Sequence, residues 1–513
     1  MRSPFAIAGL VGRLVKSDTA VVAGGQLMQQ ALTLITGVVI GRMLGSSGYG
    51  LVNIVRNVYL PLVILAPLGL DVALLKYVGR EDRDLASIDR IVGRLRLVVA
   101  SASLPVALIT GLVGGQLLMS RVYRYPHFDI MLLTTLLALP IAADLAVLGA
   151  YYRSRHRPGA FALMTLYIQP VARVVLVGLA FFLAPTTEAV VTINTLQVAI
   201  SALFVWGHFS AWKKGEQRDN ASPAPTKPDS PAEWRFVRVI LGDSIWMAVN
   251  LFVYNMMRFV DILVLGIYVP SKVVGAYAAL SAMSQLVTIW PMAASQTLGP
   301  KISRHFHGGD VPGLRKELND YIHFASVMTG FIFAGVAAFG DRLDLLFGKS
   351  FVFRPGIALL MPLGYMISAT LGPTGFALSM TGRHREELAI LLAGAVILWI
   401  SCYVLIPPLG DIGAAGAVCL TFALINITRF LWVAKTLGFV PGRLVDFLPP
   451  LIALAVAYGA KALVDLAAPR SLLGLLVACG LYAAAYGALT FQYLLGEQGR
   501  DKVRAMLGTA GAG

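Results

Sequence analysis

Runs of about twenty apolar residues recur along this 513-residue chain, and each is long enough to cross a hydrocarbon layer of roughly 30 Å as a helix. A segment in lipid must satisfy its own backbone hydrogen bonds, which a helix does. We count about fourteen runs, beginning near residues 20, 50, 97, 129, 161, 189, 239, 273, 320, 355, 387, 412, 446 and 471. With 57% hydrophobic and only 13% charged residues, the chain is too apolar for a string of soluble domains. The expected fold is all-α, a polytopic integral membrane protein. The first run, Gly24 to Ile40, is too long for a signal-peptide core. Gln29-Gln30 interrupts it without a small-residue cleavage site, so it should remain as the first span.

A net charge of +15 raises the question of nucleic acid, and the placement of the basic residues answers it. With a cytoplasmic N-terminus, 29 of the Lys and Arg residues fall in inner loops or tails. Eight fall outside: Arg42, Arg121, Arg124, Lys272, Arg342, Lys349, Arg354 and Arg470. That bias orients a membrane protein with both termini in the cytoplasm and an even number of spans, and leaves no basic surface for nucleic acid. The outer loops are short, so no periplasmic domain is expected. Cys402, Cys419 and Cys479 lie inside spans without metal-type spacing and read as small core residues. No catalytic His, metal site or cofactor motif stands out.

The chain repeats itself. Arg155-His156-Arg157 and Arg383-His384-Arg385 are offset by 228 residues, as are Tyr49 and Tyr277, and the loops at Lys76 and Lys301 by 225. The offset equals six spans plus a segment rich in Pro, Ser and charge between Trp212 and Trp234, which reads as a flexible linker. An even number of spans per repeat makes the repeat parallel. The expected division is therefore an N-lobe over 1–211, a linker over 212–238, a C-lobe over 239–443, and two added spans with a tail over 444–513.

Charged groups at membrane depth cost about 2.5 to 3.5 kcal/mol on insertion scales and usually face a bundle interior or a water-filled cavity. Arg56, Arg173 and Arg258 are the candidates for a cationic cavity that binds substrate. Each could instead snorkel or be paired structurally, and Asp261, one turn beyond Arg258, offers such a partner. Arg429 and Lys461, near span ends, suit snorkelling. Arg56 and Arg173 have no local carboxylate, and a phosphate would supply the counter-charge through bidentate hydrogen bonds. Asp144 and Asp261 are the acidic candidates for ion coupling, with Asp71 and Asp243 nearer the cytoplasmic ends. Gln26, Gln29 and Gln30 either line the same cavity or bond neighbouring helices. Pro61, Pro67, Pro140, Pro170, Pro291 and Pro362 fall inside spans and are expected to bend them.

Several motifs in order carry a family resemblance. After the first span comes Arg42-Met43-Leu44-Gly45-Ser46-Ser47-Gly48-Tyr49-Gly50, and Gly69-Leu70-Asp71-Val72-Ala73 with Lys76-Tyr77 ends the second. The second half carries Arg258-Phe259-Val260-Asp261 through Gly266, Val274-Gly275-Ala276-Tyr277 and Pro300-Lys301-Ile302-Ser303. Leu346-Phe347-Gly348-Lys349-Ser350-Phe351, Gly382-Arg383 and Leu409-Gly410-Asp411-Ile412-Gly413-Ala414-Ala415 follow. Together these resemble the polysaccharide-transporter branch, the Wzx-type flippases, of the multidrug, oligosaccharidyl-lipid and polysaccharide exporter superfamily.

The resemblance implies two six-helix lobes around a central cationic cavity. It also implies transfer of undecaprenyl-diphosphate-linked oligosaccharide from the inner to the outer face of the bacterial cytoplasmic membrane by alternating access. Helices one, two, seven and eight line the cavity in the family, which singles out Arg56 and Arg258. The implied partners are the lipid-linked oligosaccharide, membrane lipids and a polysaccharide polymerase with export proteins, around a monomeric carrier without cofactor. A cation-coupled multidrug exporter would favour an acidic cavity. A polyprenyl-linked glycan polymerase or ligase would need a large outer loop, and a non-transporting scaffold would tolerate loss of the cavity charges. The glycan, its length and the coupling ion stay open.

Overall fold

A computed structural model describes residues 18–78, 85–123, 125–219, 231–467 and 470–494. The N-terminal basic residues Arg2, Arg13 and Lys16, the loop residues Arg80 and Arg83, Arg124, the proline-rich 220–230 part of the linker and the tail with Arg500, Lys502 and Arg504 lie outside these. Every element among the described residues is helical, without a strand, as an all-α bundle in lipid requires.

Among the described residues twelve helices are long and apolar enough to cross a membrane. The difference from fourteen lies at two places. Gly24–Leu65 is one run of 42 residues, about 63 Å of helix and twice the hydrocarbon thickness. It breaks at Gly45, where φ 66° and ψ −177° are non-helical, a conformation that glycine adopts without a Cβ clash. The segment from Ser271 to His307 is divided into Ser271–Ser284, a 3₁₀ turn Gln285–Thr288 and Ile289–His307, and is not among the twelve.

The prolines act differently from one another. Pro61 and Pro362 sit inside helices, and Pro140 and Pro170 lie inside the spans Phe128–Ser154 and Pro158–Leu183, Pro140 just after the turn at Leu137-Ala138 and Pro170 just after the π-helical Leu163–Ile168. Pro67 lies in the turn between Asp18–Leu65 and Leu70–Val78. Helices also reach into the stretch read as linker: Thr187–Asp219 continues past Trp212, and the next helix starts at Pro231. Lys213 pairs with Asp89 at 3.4 Å, and Trp212 packs on Tyr151 and Tyr152. These tertiary contacts carry the helix beyond the point where composition turns polar.

Contacts divide the chain into two compact units, Met1–Ser271 and Lys272–Gly513. In the first, the kinked Asp18–Leu65 helix packs against Gln169–Leu183 and Pro231–Met256. Gly69, at φ +75°, lets the chain pass against Pro231–Met256: a Cβ there would come 2.1 Å from the Ser244 carbonyl oxygen. In the second, Val311–Phe339 is the central helix, packed by Pro355–Leu371 and Leu448–Ala467 around Val327, Phe333, Ala334, Ala453, Ala457 and Tyr482.

The two C-terminal helices are tied firmly into this second unit. The Tyr482 hydroxyl donates to the Phe331 carbonyl at 2.7 Å and that of Tyr486 to Val327 at 3.0 Å. Lys461 reaches both Asp341 and the Ala338 carbonyl at 2.7 Å. Arg342 pairs with Asp465, and Arg470 with Asp344. Lys461 is thus bound to its neighbours inside the unit. Arg429, the other basic residue read as a snorkeller, is buried against Glu387, with Nε 3.0 Å from Oε2.

Candidate functional site

The second arm of the kinked helix carries a polar face through an otherwise apolar span. Tyr49, Asn53 and Asn57 recur every four residues, with Arg56 beside them, so helical geometry stacks them along one side. Tyr49, Asn53 and Asn57 are buried and Arg56 is half-buried. The Asn53 amide donates to the Tyr49 carbonyl at 2.8 Å and the Asn57 amide to that of Asn53 at 2.7 Å. These bonds satisfy one donor of each side chain and fix its direction. The break at Gly45 folds the arms so that Tyr49 lies against Gly37, where a Cβ would meet its hydroxyl at 3.3 Å.

Arg173 arrives from Gln169–Leu183. This helix is seated on the first arm by the preceding turn, where the Tyr167 hydroxyl donates to the Val21 carbonyl at 3.0 Å and Leu166 and Tyr167 press on Gly25. Arg173 lies close enough to Arg56 and Tyr49 to interact with both electrostatically, and Arg56 acts on Tyr49 in turn. The Arg173 Nε is buried without a hydrogen-bond partner. A buried donor left unmet costs about 1 to 3 kcal/mol, more when charged. Two guanidinium groups that repel one another in an apolar span form a site that an anion with several acceptor oxygens would stabilise.

The other expected residues fall elsewhere. Arg258 does not share a helical turn with Asp261, because the helix breaks at Met257-Arg258-Phe259 between Pro231–Met256 and Val260–Tyr268. Arg258 is exposed on that turn, whereas Asp261 is buried in the first turn of the next helix, where helix N-terminal charge favours a carboxylate. The interruption removes the i, i+3 geometry that a pair needs. Gln26 is exposed, and Gln29 and Gln30 are half-buried on the first arm.

Asp144 is held by three donors. Arg96 reaches it through Nε at 2.5 Å and Nη2 at 2.9 Å, and the Trp206 indole through Nε1 at 2.7 Å. A coupling ion would have to displace this pair. Arg96 reads from sequence as an inner-loop residue, but helix Leu85–Ile109 begins early enough to carry it into the span Ile88–Leu117. Of the three arginines expected to line a cavity, Arg56 and Arg173 are brought together. Sequence marks Tyr49 only through the repeat and its motif; Asn53 and Asn57 join it on one face, and their four-residue spacing is the signal for that stripe.

A family described as "Polysaccharide biosynthesis protein" matches residues 15–306. No curated protein sequence matches the chain significantly. Among solved structures, "Lipid II flippase MurJ, inward closed conformation" is similar over 92% of this chain and 99% of that one, with TM-score 0.71 and 13% identity. An inward-facing multidrug resistance MATE family transporter of the MOP superfamily covers 80% of this chain and 94% of its own, with TM-score 0.61 and 15% identity. A MOP superfamily transporter from Pyrococcus furiosus, described by a reversed polarity of its binding pocket, covers 83% and 97%, with TM-score 0.54 and 13% identity. The fold is that of MOP-superfamily transporters.

Proposed function

The chain belongs to the polysaccharide biosynthesis protein family, and from that premise we propose that it is a flippase for undecaprenyl-diphosphate-linked oligosaccharide. It carries the headgroup from the cytoplasmic to the periplasmic face of a bacterial inner membrane by alternating access, for exopolysaccharide or O-antigen biosynthesis. Both termini are cytoplasmic, and the chain works as a monomer alongside a polymerase and export proteins. The 1–211 and 239–443 lobes are the repeating units, with 444–513 an addition to the second.

The observation that carries this reading is the Arg56 and Arg173 pair at membrane depth, with the Arg173 Nε buried and unpartnered and Tyr49 within electrostatic reach. A glycan headgroup cannot enter lipid unaided, and its diphosphate is the costliest part to desolvate. Two guanidinium groups supply charge-assisted, geometrically matched donors for the phosphate oxygens. The neighbouring Asn53 and Asn57 side-chain oxygens add hydrogen-bonding capacity for sugar hydroxyls. The polyprenyl tail stays in lipid and requires no polar path.

A cation-coupled drug exporter is the second reading, because the fold is shared with MATE transporters. The positive charge at Arg56 and Arg173 opposes it, since an organic cation would be repelled there. The two readings separate in proteoliposomes. Protein that moves a labelled polyprenyl-diphosphate oligosaccharide across the bilayer and leaves cationic dyes in place supports the flippase. Dye transport without sugar-lipid transfer sinks it.

A further inference from the structure

We propose that the second unit carries a separate binding site for the phosphate-bearing headgroup of an anionic phospholipid, in a basic cavity formed by Arg315, Lys316 and Arg443. The cavity, of about 570 Å³, is built from the opening turns of Val311–Phe339 and the 438–443 connection, with Asn319, Asp320 and Phe439 completing its wall. That volume lies within the range of roughly 300 to 1,000 Å³ usual for small-molecule sites.

Its position points to the headgroup layer. The connection joins the end of Asp411–Leu437 to the approach of Leu448–Ala467, so the cavity stands at the ends of three spans at once. Val311–Phe339 has 29 residues, about 44 Å of helix against roughly 30 Å of hydrocarbon, so its first turns extend past the apolar layer. The residues flanking Arg443 are apolar and outward: Val440, Leu444 and Val445 are 53%, 91% and 62% exposed. A soluble anion has no use for them. An amphiphile places its acyl chains along such side chains while its phosphate meets the cations.

Charge and rigidity agree with a ligand. Arg315 and Lys316 are exposed, and neither takes part in an ion pair among the described residues. Arg443 shares Asp446 with His323, the Arg443 Nη2 at 3.2 Å and the imidazole Nδ1 at 2.9 Å from Oδ1. Asp320 is the one carboxylate on the wall, so the lining is net positive. The connection is held in shape before any ligand arrives: the Gly442 N–H donates to Asn319 Oδ1 at 2.6 Å, and the Arg443 N–H to Asp446 Oδ2 at 2.7 Å. The helix N-terminus itself is already capped by Asp310, which accepts from the Gly313 N–H at 2.8 Å. The side chains, not the helix end, are what remains for the phosphate. Topology-setting charge would need no preformed cavity, and this site is independent of Arg56 and Arg173.

The test uses the full chain purified from nanodiscs of equal phosphatidylglycerol and phosphatidylcholine, with retained lipid counted by native mass spectrometry. Wild type should retain phosphatidylglycerol preferentially. Arg315→Gln with Lys316→Gln should lower that retention at least about tenfold, as expected when two surface cations stop attracting an anionic headgroup. Asp320→Asn should raise it, and Arg383→Gln with Arg385→Gln, outside the cavity, should leave it unchanged. Because Arg315 and Lys316 are exposed and unpaired, thermal unfolding of the double variant should match wild type. Equal retention in all variants, an equal fall in the Arg383 and Arg385 control, or complete displacement by inorganic phosphate would each overturn the proposal. The last would assign the cavity to a free anion.

Discussion

Arg96 grips Asp144 through both carboxylate oxygens, and the Trp206 indole adds a third donor. The pair crosses from Leu85–Ile109 to Leu139–Ser154, so it fixes the register of two helices inside the first unit.

Removing one partner of a buried pair leaves an uncompensated charge. Asp144→Asn is expected to destabilise the protein by on the order of 3 kcal/mol, reduced by the partial exposure of Arg96. The double change Arg96→Gln with Asp144→Asn should recover much of that loss. Unfolding of purified protein in detergent measures both. Were Asp144 instead a coupling carboxylate, Asp144→Asn would stop transport while leaving unfolding unchanged.

Gly69→Ala should be severely destabilising, because the new Cβ would lie 2.1 Å from the Ser244 oxygen and 2.7 Å from the Ala248 nitrogen at a left-handed φ. Gly93→Ala is the matched control: nothing lies within 4 Å of its Cβ position, and helix propensity predicts a gain of roughly 0.5 to 1 kcal/mol. Folded yield and thermal unfolding should move in opposite directions for the two.

Asp310 supplies a pH-dependent cap. The Gly313 N–H, then the neighbouring His305, hold its carboxyl below the usual carboxylate range. A group whose folded pKa is depressed contributes stability that is present above its unfolded pKa, near 4 for a carboxylate, and is lost as pH falls through the lower folded value. Asp310→Ala should therefore be less stable than wild type at neutral pH. The difference should vanish in acid below the folded pKa, which unfolding curves across acid pH would follow.

The apolar runs made helices in lipid legible, because length and hydropathy alone decide that question. Helix breaks were less visible. Gly45 divides one long run, and Met257-Arg258-Phe259 interrupts another without proline or glycine, so the i, i+3 spacing that offered Asp261 as an alternative partner for Arg258 is not realised within one helix. Partner choice was hidden for a different reason. Arg96 meets Asp144 across 48 residues of sequence and Arg429 meets Glu387 across 42, and no periodicity encodes which helix faces which. Arg56 and Arg173 could be flagged one by one as costly charges. Their proximity emerges only when the kinked helix and Gln169–Leu183 pack together, whereas the Tyr49, Asn53 and Asn57 face beside them is written in a four-residue spacing on one helix.

The most direct measurement of the central claim is the distribution of polyprenyl-diphosphate-linked oligosaccharide in cells lacking this protein and complemented with Arg56→Gln and Arg173→Gln together. Charge-assisted hydrogen bonds are worth about 1.5 to 3 kcal/mol each, and 1.4 kcal/mol is a factor of ten. The double variant should therefore export glycan at least about tenfold more slowly than wild type and accumulate the lipid-linked precursor on the inner face, with Arg56→Lys and Arg173→Lys intermediate. Wild-type export by a normally folded double-Gln variant would contradict the account.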